Sequence, residues 1–475
     1  MSQERKKIKT IPSQGLTKDE QAIVALCTPQ GSGAIALIRL SGNNAVEIAD
    51  LMGQLPSGKL LKDHKTHTIH FGYVVDEQNQ HVDQVLFLLM KAPRTFTGQD
   101  VVEITCHNNQ FLIDAIIDRA LQCGARLAGN GEFSQRAVVN GKMDLVQAEG
   151  MNDLIHAQSV ESLKYSLSQL EGSFSSWVAS IEQSVVKMLA FCEASFEFID
   201  EEEMEFASDI KIQMSYVVKK VQDLLKTYSK QQYIKEGVRI ALVGTVNAGK
   251  SSLFNRLVHK DRAIVTDIAG TTRDIIESGV YKEGCFLTFV DTAGIRNTQD
   301  QIEKEGIDRS FKEAHCADVI LLIIDYSQNM TKQQQIEYQK IIDQHKQKVI
   351  VVYNKIDKTS VGVHNIQIDK TVSIVQTSAQ KNLHIDKLCQ VVDQKVASLK
   401  DVGNISGLLN QRQYSLLSKF VEQQQEVIAL LQGSVDYEVV SYKLKESLQL
   451  LCEVTGRSVS EAAMDQVFKT FCVGK

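Results

Sequence analysis

Along residues 20–140, apolar and polar positions alternate in short runs, Ala22–Leu26, Ala34–Leu40, Gln84–Met90 and Val101–Cys106, separated by turn residues. A period of two predicts strands, and this stretch, which holds three of the four prolines, reads as a compact α/β domain. From about residue 141 the texture changes. Residues 144–233 contain no proline and two glycines, and apolar side chains recur at helical spacing, as in Met188, Phe191, Cys192, Ser195 and Phe196. Helices are expected there. Four runs then predict strands, the first of them buried: Arg239–Val243, Cys285–Val290, Val349–Tyr353 and Val372–Gln376, with Leu253–Leu257 as a helix between the first two. Residues 399–475 return to helical texture rich in Leu, Gln and Val.

The expected division is a polar flexible tail (1–20), an N-terminal domain (21–140), a first helical part (141–236), an inserted domain (237–398) and a second helical part (399–475). The helical domain is thus built from both flanks, a layout suited to carrying the state of the insert into the helices.

Four strings stand in fixed order in the insert: GTVNAGKSS (244–252), DIAGTTRD (267–274), DTAG (291–294) and NKID (354–357). The first lies between a predicted strand and a predicted helix, the context of a phosphate-binding loop. Glycines at both ends let successive N–H groups turn inward, and the helix N-terminus adds partial positive charge. The expected phosphate-binding set is Asn247, Ala248, Gly249, Lys250, Ser251 and Ser252, with Lys250 on the β- and γ-phosphates and Ser251 on Mg2+. Thr272 is the switch threonine expected on Mg2+, with Thr266, Gly270 and Thr271 around it. Asp291 would support the metal and the Gly294 N–H would meet the γ-phosphate. A lone phosphate loop also suits ATP, so NKID decides the base. The Asp357 carboxylate can accept from guanine N1 and the exocyclic amine, a pair adenine does not offer, with Asn354, Lys355, Ser378 and Ala379 completing the base site. The fold expected from these strings is multidomain, α/β plus all-α, with an inserted P-loop (Ras-like) GTPase domain.

The position after DTAG, where many small GTPases carry a water-orienting Gln, is Ile295. An apolar side chain holds no water. Asn247, with the carbonyls of Thr266, Ile268 and Thr271, offers instead a site for a monovalent cation where an arginine finger would place its charge.

Composition adds limits. At 475 residues the chain has room for about three domains of ~150 residues. Nine scattered cysteines without a CxxC pair suit a reducing compartment. No apolar run approaches the ~18 residues of a membrane span, and the start lacks a signal-peptide core, so a soluble cytoplasmic protein is expected, with no membrane partner. A net charge of −6 shows no global basic field, so any RNA affinity has to come from a local patch or a partner. His64, His67 and His70 read as a strand entry rather than a metal site, the acidic run Asp200–Glu203 as a solvated segment, and Trp177 as helical core.

Together the inserted GTPase strings, TDIAGTTRD, the segment GEFSQRAVVNGKMDLVQAE (131–149) and the final CVGK resemble the MnmE (TrmE) family of tRNA modification GTPases. The resemblance runs from about residue 21 to the last lysine. It implies an N-terminal folate-binding domain, taking a 5-formyl or 5,10-methylene tetrahydrofolate, that forms a homodimer. It implies a flavoprotein partner, MnmG (GidA), joined in a heterotetramer that adds an aminomethyl or carboxymethylaminomethyl group to C5 of the wobble uridine of tRNA. The cation near Asn247 is then potassium, accompanying pairing of two GTPase domains; Glu303 orients the attacking water and Arg296 ties the second switch. Folate positions carried over by motif are Arg39, Glu103, Lys142 and Lys475, and Cys472 matches a family cysteine linked to the modification. This chain departs from the usual pattern at Val246 and Asn130, where proline is common, and at Gln99, where Glu is common. A ribosome-assembly GTPase of the Era or Der type shares the nucleotide strings, but it predicts a C-terminal KH segment or a second phosphate loop, and the sequence has neither. A folate-binding regulator with a purely conformational GTPase is the third reading.

Overall fold

The computed structural model describes residues 21–197, 206–245, 247–260, 276–282, 285–291, 315–358, 362, 365–401, 405, 407–432 and 435–474. They pack as two compact units. One carries the chain up to Asn152 and again from Lys445; the other is Asp153–Leu444.

The first unit is built on strands β1 (Ile23–Leu26), β2 (Ile35–Ser41), β3 (Gly53–Gln54), β4 (Thr68–Val75), β5 (His81–Met90), β6 (Val101–His107) and β7 (Arg126–Leu127). They form one sheet in the order β3-β4-β5-β6-β2-β1-β7, antiparallel except where β7 joins β1. Alternation divides the two faces. Ile38, Leu40, Phe87, Leu89, Val102 and Ile104 point into a core closed by α1 (Ala45–Met52) and α2 (Gln110–Gln122) through Ile48, Ile113 and Ile116. On the opposite face, the register sets Arg39 against Glu103 and Glu103 against Leu88. That face is covered at the β1 end by α3 (Glu132–Val139), whose Phe133 packs on Ile23 and Ala25. Helix α4 (Leu145–His156) follows.

In the second unit α5 (Val160–Leu170), α6 (Ser173–Glu197), α7 (Phe206–Lys226) and α8 (Tyr228–Glu236) precede the nucleotide strings. Phe174, Val178, Ile181, Val185, Met188 and Cys192 of α6 are all buried, a stripe at alternating spacings of four and three that faces a neighbouring helix. Trp177 is half-buried and stacks on Phe174, with 5.4 Å between centroids.

Next comes a six-stranded sheet of β8 (Val238–Gly244), β9 (Ile276–Lys282), β10 (Cys285–Asp291), β11 (Val319–Asp325), β12 (Val349–Asn354) and β13 (Ser373–Gln376), in the order β13-β12-β11-β8-β10-β9. All pairings are parallel except β9 with β10. Parallel strands covered on both faces lose alternation, and β11 (VILLIID) is accordingly buried at six successive positions. Helices α9 (Lys250–Lys260) and α11 (Ile385–Lys400) cover one face, and α10 (Lys332–Gln344) the other. The sheet reverses direction of growth on either side of β8, so its C-terminal end is where this topology binds ligands. Helix α12 (Gln411–Leu430) packs beside α7.

The chain then returns to the first unit along α13 (Tyr437–Thr455) and α14 (Glu461–Phe468). Phe468 and Phe471 join Leu145 and Ala148 in a small core. The terminal segment lies beside β1 and α3: Gly131 N–H donates to the Cys472 carbonyl (3.2 Å), Val473 bridges Asn130, and the Cys27 thiol donates to the Gly474 carbonyl (3.1 Å). Gly474 has φ +95°, and a Cβ there would stand 2.4 Å from the Leu26 carbonyl oxygen. Only glycine fits so close a backbone approach.

Candidate functional site

At the C-terminal end of β8 the loop turns through Asn247 (φ +63°) and Gly249 (φ +93°) into α9. A Cβ on Gly249 would lie 2.2 Å from Asn354 Nδ2. The buried Lys250 ammonium donates to the carbonyls of Gly244 and Thr245, both at 2.8 Å, so the loop holds its own cation over its mouth. Thr245 is gripped from the other side as well, its N–H donating to the buried Tyr338 hydroxyl of α10 at 2.8 Å. Ser251 and Ser252 open α9 at the surface, where the helix N-terminus favours anions.

Asn354 joins this loop to the next. Its amide donates to Ala248 O (2.9 Å), and its carbonyl oxygen accepts from Ala379 N (3.1 Å) and the Thr377 hydroxyl (3.4 Å). Lys355, at φ +66°, pairs with Asp325 at the end of β11 (2.6 Å). Burial pushes the Asp325 carboxyl up, but the bonds from Lys355 and Ser327 outweigh it and hold the group below its usual range. A hydrogen bond from the Ser378 hydroxyl likewise holds Asp357 low, and therefore ionised. Asp357 Oδ1 is shielded from solvent and accepts no hydrogen bond among the described residues. Arg256 of α9 donates to the Ala379 carbonyl at 3.1 Å, fixing the loop beneath. An ionised acceptor beside rigid backbone is what a guanine edge requires.

In the first unit, Arg39 and Glu103 form an ion pair at 2.8 Å across neighbouring strands. The guanidinium stands over the rings of Phe133 (5.5 Å) and Phe96 (5.7 Å), a cation–π arrangement on two aromatic faces. Gln99 accepts from the buried Arg136 (2.9 Å), so the amide keeps the acceptor role that a carboxylate would have. Asn130 adds a bond to the Lys469 carbonyl (3.3 Å) that proline would lack. Lys142 is exposed near Gly98, and Cys472 is exposed on the terminal segment beside β1. Burial pushes the neighbouring Cys27 thiol up, against the pull of the Arg39 charge.

The structure therefore brings Asn247, Ala248, Gly249, Lys250, Asn354, Lys355, Asp357, Ser378 and Ala379 into one cluster, and Arg39 with Glu103 into another. Val246, Thr266, Ile268, Gly270, Thr271, Thr272, Gly294, Arg296, Glu303, Lys475, the Asp291 side chain and the run Asp200–Glu203 lie outside the described residues. The His64 and His70 rings lie 4.1 Å apart, tilted by 47°, and no group of three or more metal-ligating side chains occurs among the described residues.

Family models settle the relationship. Residues 22–142 match the GTP-binding protein TrmE N-terminus and residues 145–472 match the MnmE helical domain. The chain belongs to the MnmE family of tRNA modification GTPases. Among its relatives, the tRNA modification GTPase MnmE of Geobacillus thermodenitrificans is 37% identical over 95% of this chain and 99% of its own length. The Bacillus subtilis protein of the same name is 36% identical over 95% of this chain and 99% of its own length. Among solved structures, the G domain of the T. maritima FeoB iron transporter is 22% identical over 34% of this chain and 98% of its own, with a TM-score of 0.23.

Four side chains in this MnmE family member were not singled out from sequence: Tyr338, Asp325, Arg256 and Phe96. Asp325 carries a signal of the same kind as Asp291, an acid closing an apolar strand. Tyr338 and Arg256 carry none, because their partners lie 93 and 123 residues away.

Proposed function

We propose that this protein is the GTP-hydrolysing subunit of a complex that modifies C5 of the wobble uridine in tRNA. The complex installs an aminomethyl or carboxymethylaminomethyl group and includes the flavoprotein MnmG in a heterotetramer. The observation that carries the nucleotide part is the shielded Asp357 Oδ1, an ionised acceptor without a donor, next to a loop tied down by Asn354 and Arg256. Guanine supplies the missing donors.

Lys250 and the α9 N-terminus would hold the phosphates, and Ser251, Thr272 and Asp291 would serve Mg2+, which neutralises charge developing between the β- and γ-phosphates. With Ile295 unable to orient water, Glu303 takes that role and Arg296 ties the second switch. Asn247 is solvent-exposed at positive φ, which suits a ligand to K+ alongside the carbonyls of Thr266, Ile268 and Thr271 as two nucleotide domains pair.

In the first unit a folate fits the donor set. Glu103 would accept from pterin N–H groups, Phe96 and Phe133 offer ring faces, and Arg39, Lys142 and Lys475 suit its carboxylates. When bound it supplies the one-carbon unit; Cys472 lies on the segment beside β1. Homodimerisation has support on the same sheet face, where Ile69 (64% exposed), Phe71 (45%) and Leu86 (41%) form a continuous apolar stripe. The proposed site of action on tRNA is the cytoplasm; no helix among the described residues is long and apolar enough to cross a membrane.

GTP turnover in KCl and NaCl at matched ionic strength, with association followed in parallel, tests the reading. Strong activation by K+ with nucleotide-dependent pairing is expected. Equal rates in both salts would overturn the cation site and leave the missing glutamine to an external activator.

A further inference from the structure

Helix α5 starts with an arrangement that the functions above do not use. Its N-cap, Ser159, has extended backbone (φ −140°, ψ 152°), and its hydroxyl accepts from Ser162 N (2.9 Å) while donating to the Ile234 carbonyl (2.9 Å). The next residue, Val160, is the first helical position, whose N–H has no acceptor within a helix. Here that N–H donates to the Tyr281 hydroxyl at 2.9 Å.

The two contacts have different anchors. Ile234 sits in α8, two residues before Glu236 ends it, and Gly237 (φ +83°) then leads into β8. A Cβ at Gly237 would stand 2.4 Å from the Phe286 carbonyl oxygen of β10, so this joint has no slack. The Lys235–Asp153 pair (2.6 Å) ties the same end of α8 to α4. Tyr281, by contrast, belongs to β9, which among the described residues is the edge strand of the sheet, pairs with β10 alone and begins two residues after the string DIAGTTRD ends. An edge strand is held by one ladder of backbone bonds instead of two, to which Lys282, next to Tyr281, adds an ion pair with Asp393 of α11 (2.9 Å). A cleft of about 390 Å³ lies at the same helix start, lined by Asp153, Ser162 and Lys235 among others. The α5 start therefore spans a fixed point and the strand attached to the first switch.

We propose that Tyr281 is a positioning residue coupling nucleotide state to the helical segment: movement of β9 makes or breaks the cap on Val160, and α5 responds. The inference rests on the guanine-nucleotide reading and adds a route out of that site. Tyr281 pairs with Phe286, at the opposite end of β9 from Ile276 and Asp291, and is none of the residues assigned above to nucleotide or folate.

Both ends of the bond can be removed without removing a fold element. Tyr281→Phe deletes the acceptor alone. Val160→Pro deletes the donor at the one helical position where proline is well tolerated, and the extended Ser159 before it suits proline too. The experiment is hydrogen–deuterium exchange of residues 159–163 in the full chain with Mg2+ and KCl, bound to GDP or to a non-hydrolysable GTP analogue. Binding is followed in the same samples with a fluorescent nucleotide. The wild type is expected to differ at least fivefold in exchange rate between the two states. Each variant should lose that difference while keeping nucleotide affinity and single-turnover hydrolysis within twofold, and the double variant should match either single one. A merely structural bond would change both nucleotide states alike. Bound nucleotide without a state-dependent change in the wild type, or a Tyr281→Phe protein that keeps the difference, would overturn the coupling. Absence of guanine-nucleotide binding in the wild type would overturn the nucleotide reading, and this inference with it.

Discussion

The nucleotide cluster and the Arg39–Glu103 face both place charged groups out of bulk water, but they satisfy them differently. Around β8, Lys250 rests on carbonyls of its own loop, and Asp357 keeps one shielded oxygen without a donor. On the first sheet, Arg39 and Glu103 satisfy each other, and Arg39 stands over two rings. The first arrangement is poised for a ligand that completes it. The second is closed, so a ligand has to share or displace an existing ion pair, and its net gain is correspondingly smaller. Substitutions should therefore be far more damaging at the nucleotide cluster.

Lys250→Ala should have the largest effect. It removes the ammonium that rests on the Gly244 and Thr245 carbonyls and that the proposed function assigns to the phosphates, and GTP affinity in a fluorescence titration is expected to fall by about 1000-fold, the scale of losing charge-assisted bonds to a multiply charged ligand. A loss below threefold would show that the loop does not bind phosphate. Asp357→Asn comes next. Replacing one acceptor oxygen with an amide donor should lower GTP affinity by roughly 100-fold and raise affinity for xanthosine triphosphate, whose C2 carbonyl accepts where the guanine amine donates. If GTP and its xanthosine counterpart keep their original ranking, Asp357 does not read the base.

Glu103→Gln probes the closed site. It keeps shape but leaves the Arg39 cation without its counter-charge, and tetrahydrofolate affinity should drop by about tenfold. GTP affinity of the same protein should stay within twofold; a matching fall in both would mean that the substitution damages the fold rather than a site.

This contrast also explains how much of each region was legible beforehand. Lys250, Asn354 and Asp357 stand in short strings at strand ends, so local pattern announced both the loops and their ligand. Even so, Asn354 proved to spend its amide inside the protein, bracing Ala248 against Ala379. The strands and two positions of the α6 stripe, Met188 and Cys192, were readable because burial imposes a period on neighbouring residues, while Phe191 is half-buried and the side chains of Ser195 and Phe196 lie outside the described residues. The Arg39–Glu103 pair was not, since it depends on the register of strands 64 residues apart. Contacts of the terminal segment with Asn130 and Cys27 depend on a return across more than 300 residues, and two glycines in close contact, Gly131 against Phe468 and Phe471 and Gly474 against Leu26, are its local traces.

The smallest expected effect concerns the support behind the closed site. Glu132 opens α3, the helix whose Phe133 faces Arg39, and it accepts from Arg126 (2.8 Å), Arg136 (3.0 Å) and Gly129 N (2.9 Å). Burial raises its carboxyl, but the bonds from Arg126 and Gly129 and the charges of Arg126 and Arg136 together hold it below the ordinary 4.5. A depressed value in the folded state means that unfolding takes up a proton, so the stabilisation is complete above about pH 4.5 and is lost as pH falls through the lower folded value. Glu132→Gln has no such proton to take up. Thermal melting of both proteins from pH 6 to pH 3 should show the wild type losing more of its melting temperature over the acid limb, although it starts the more stable of the two. Parallel acid limbs would mean that these arginines hold Glu132 no more tightly than water does, and that α3 is positioned by Phe133 and the small core at Phe468 and Phe471 instead.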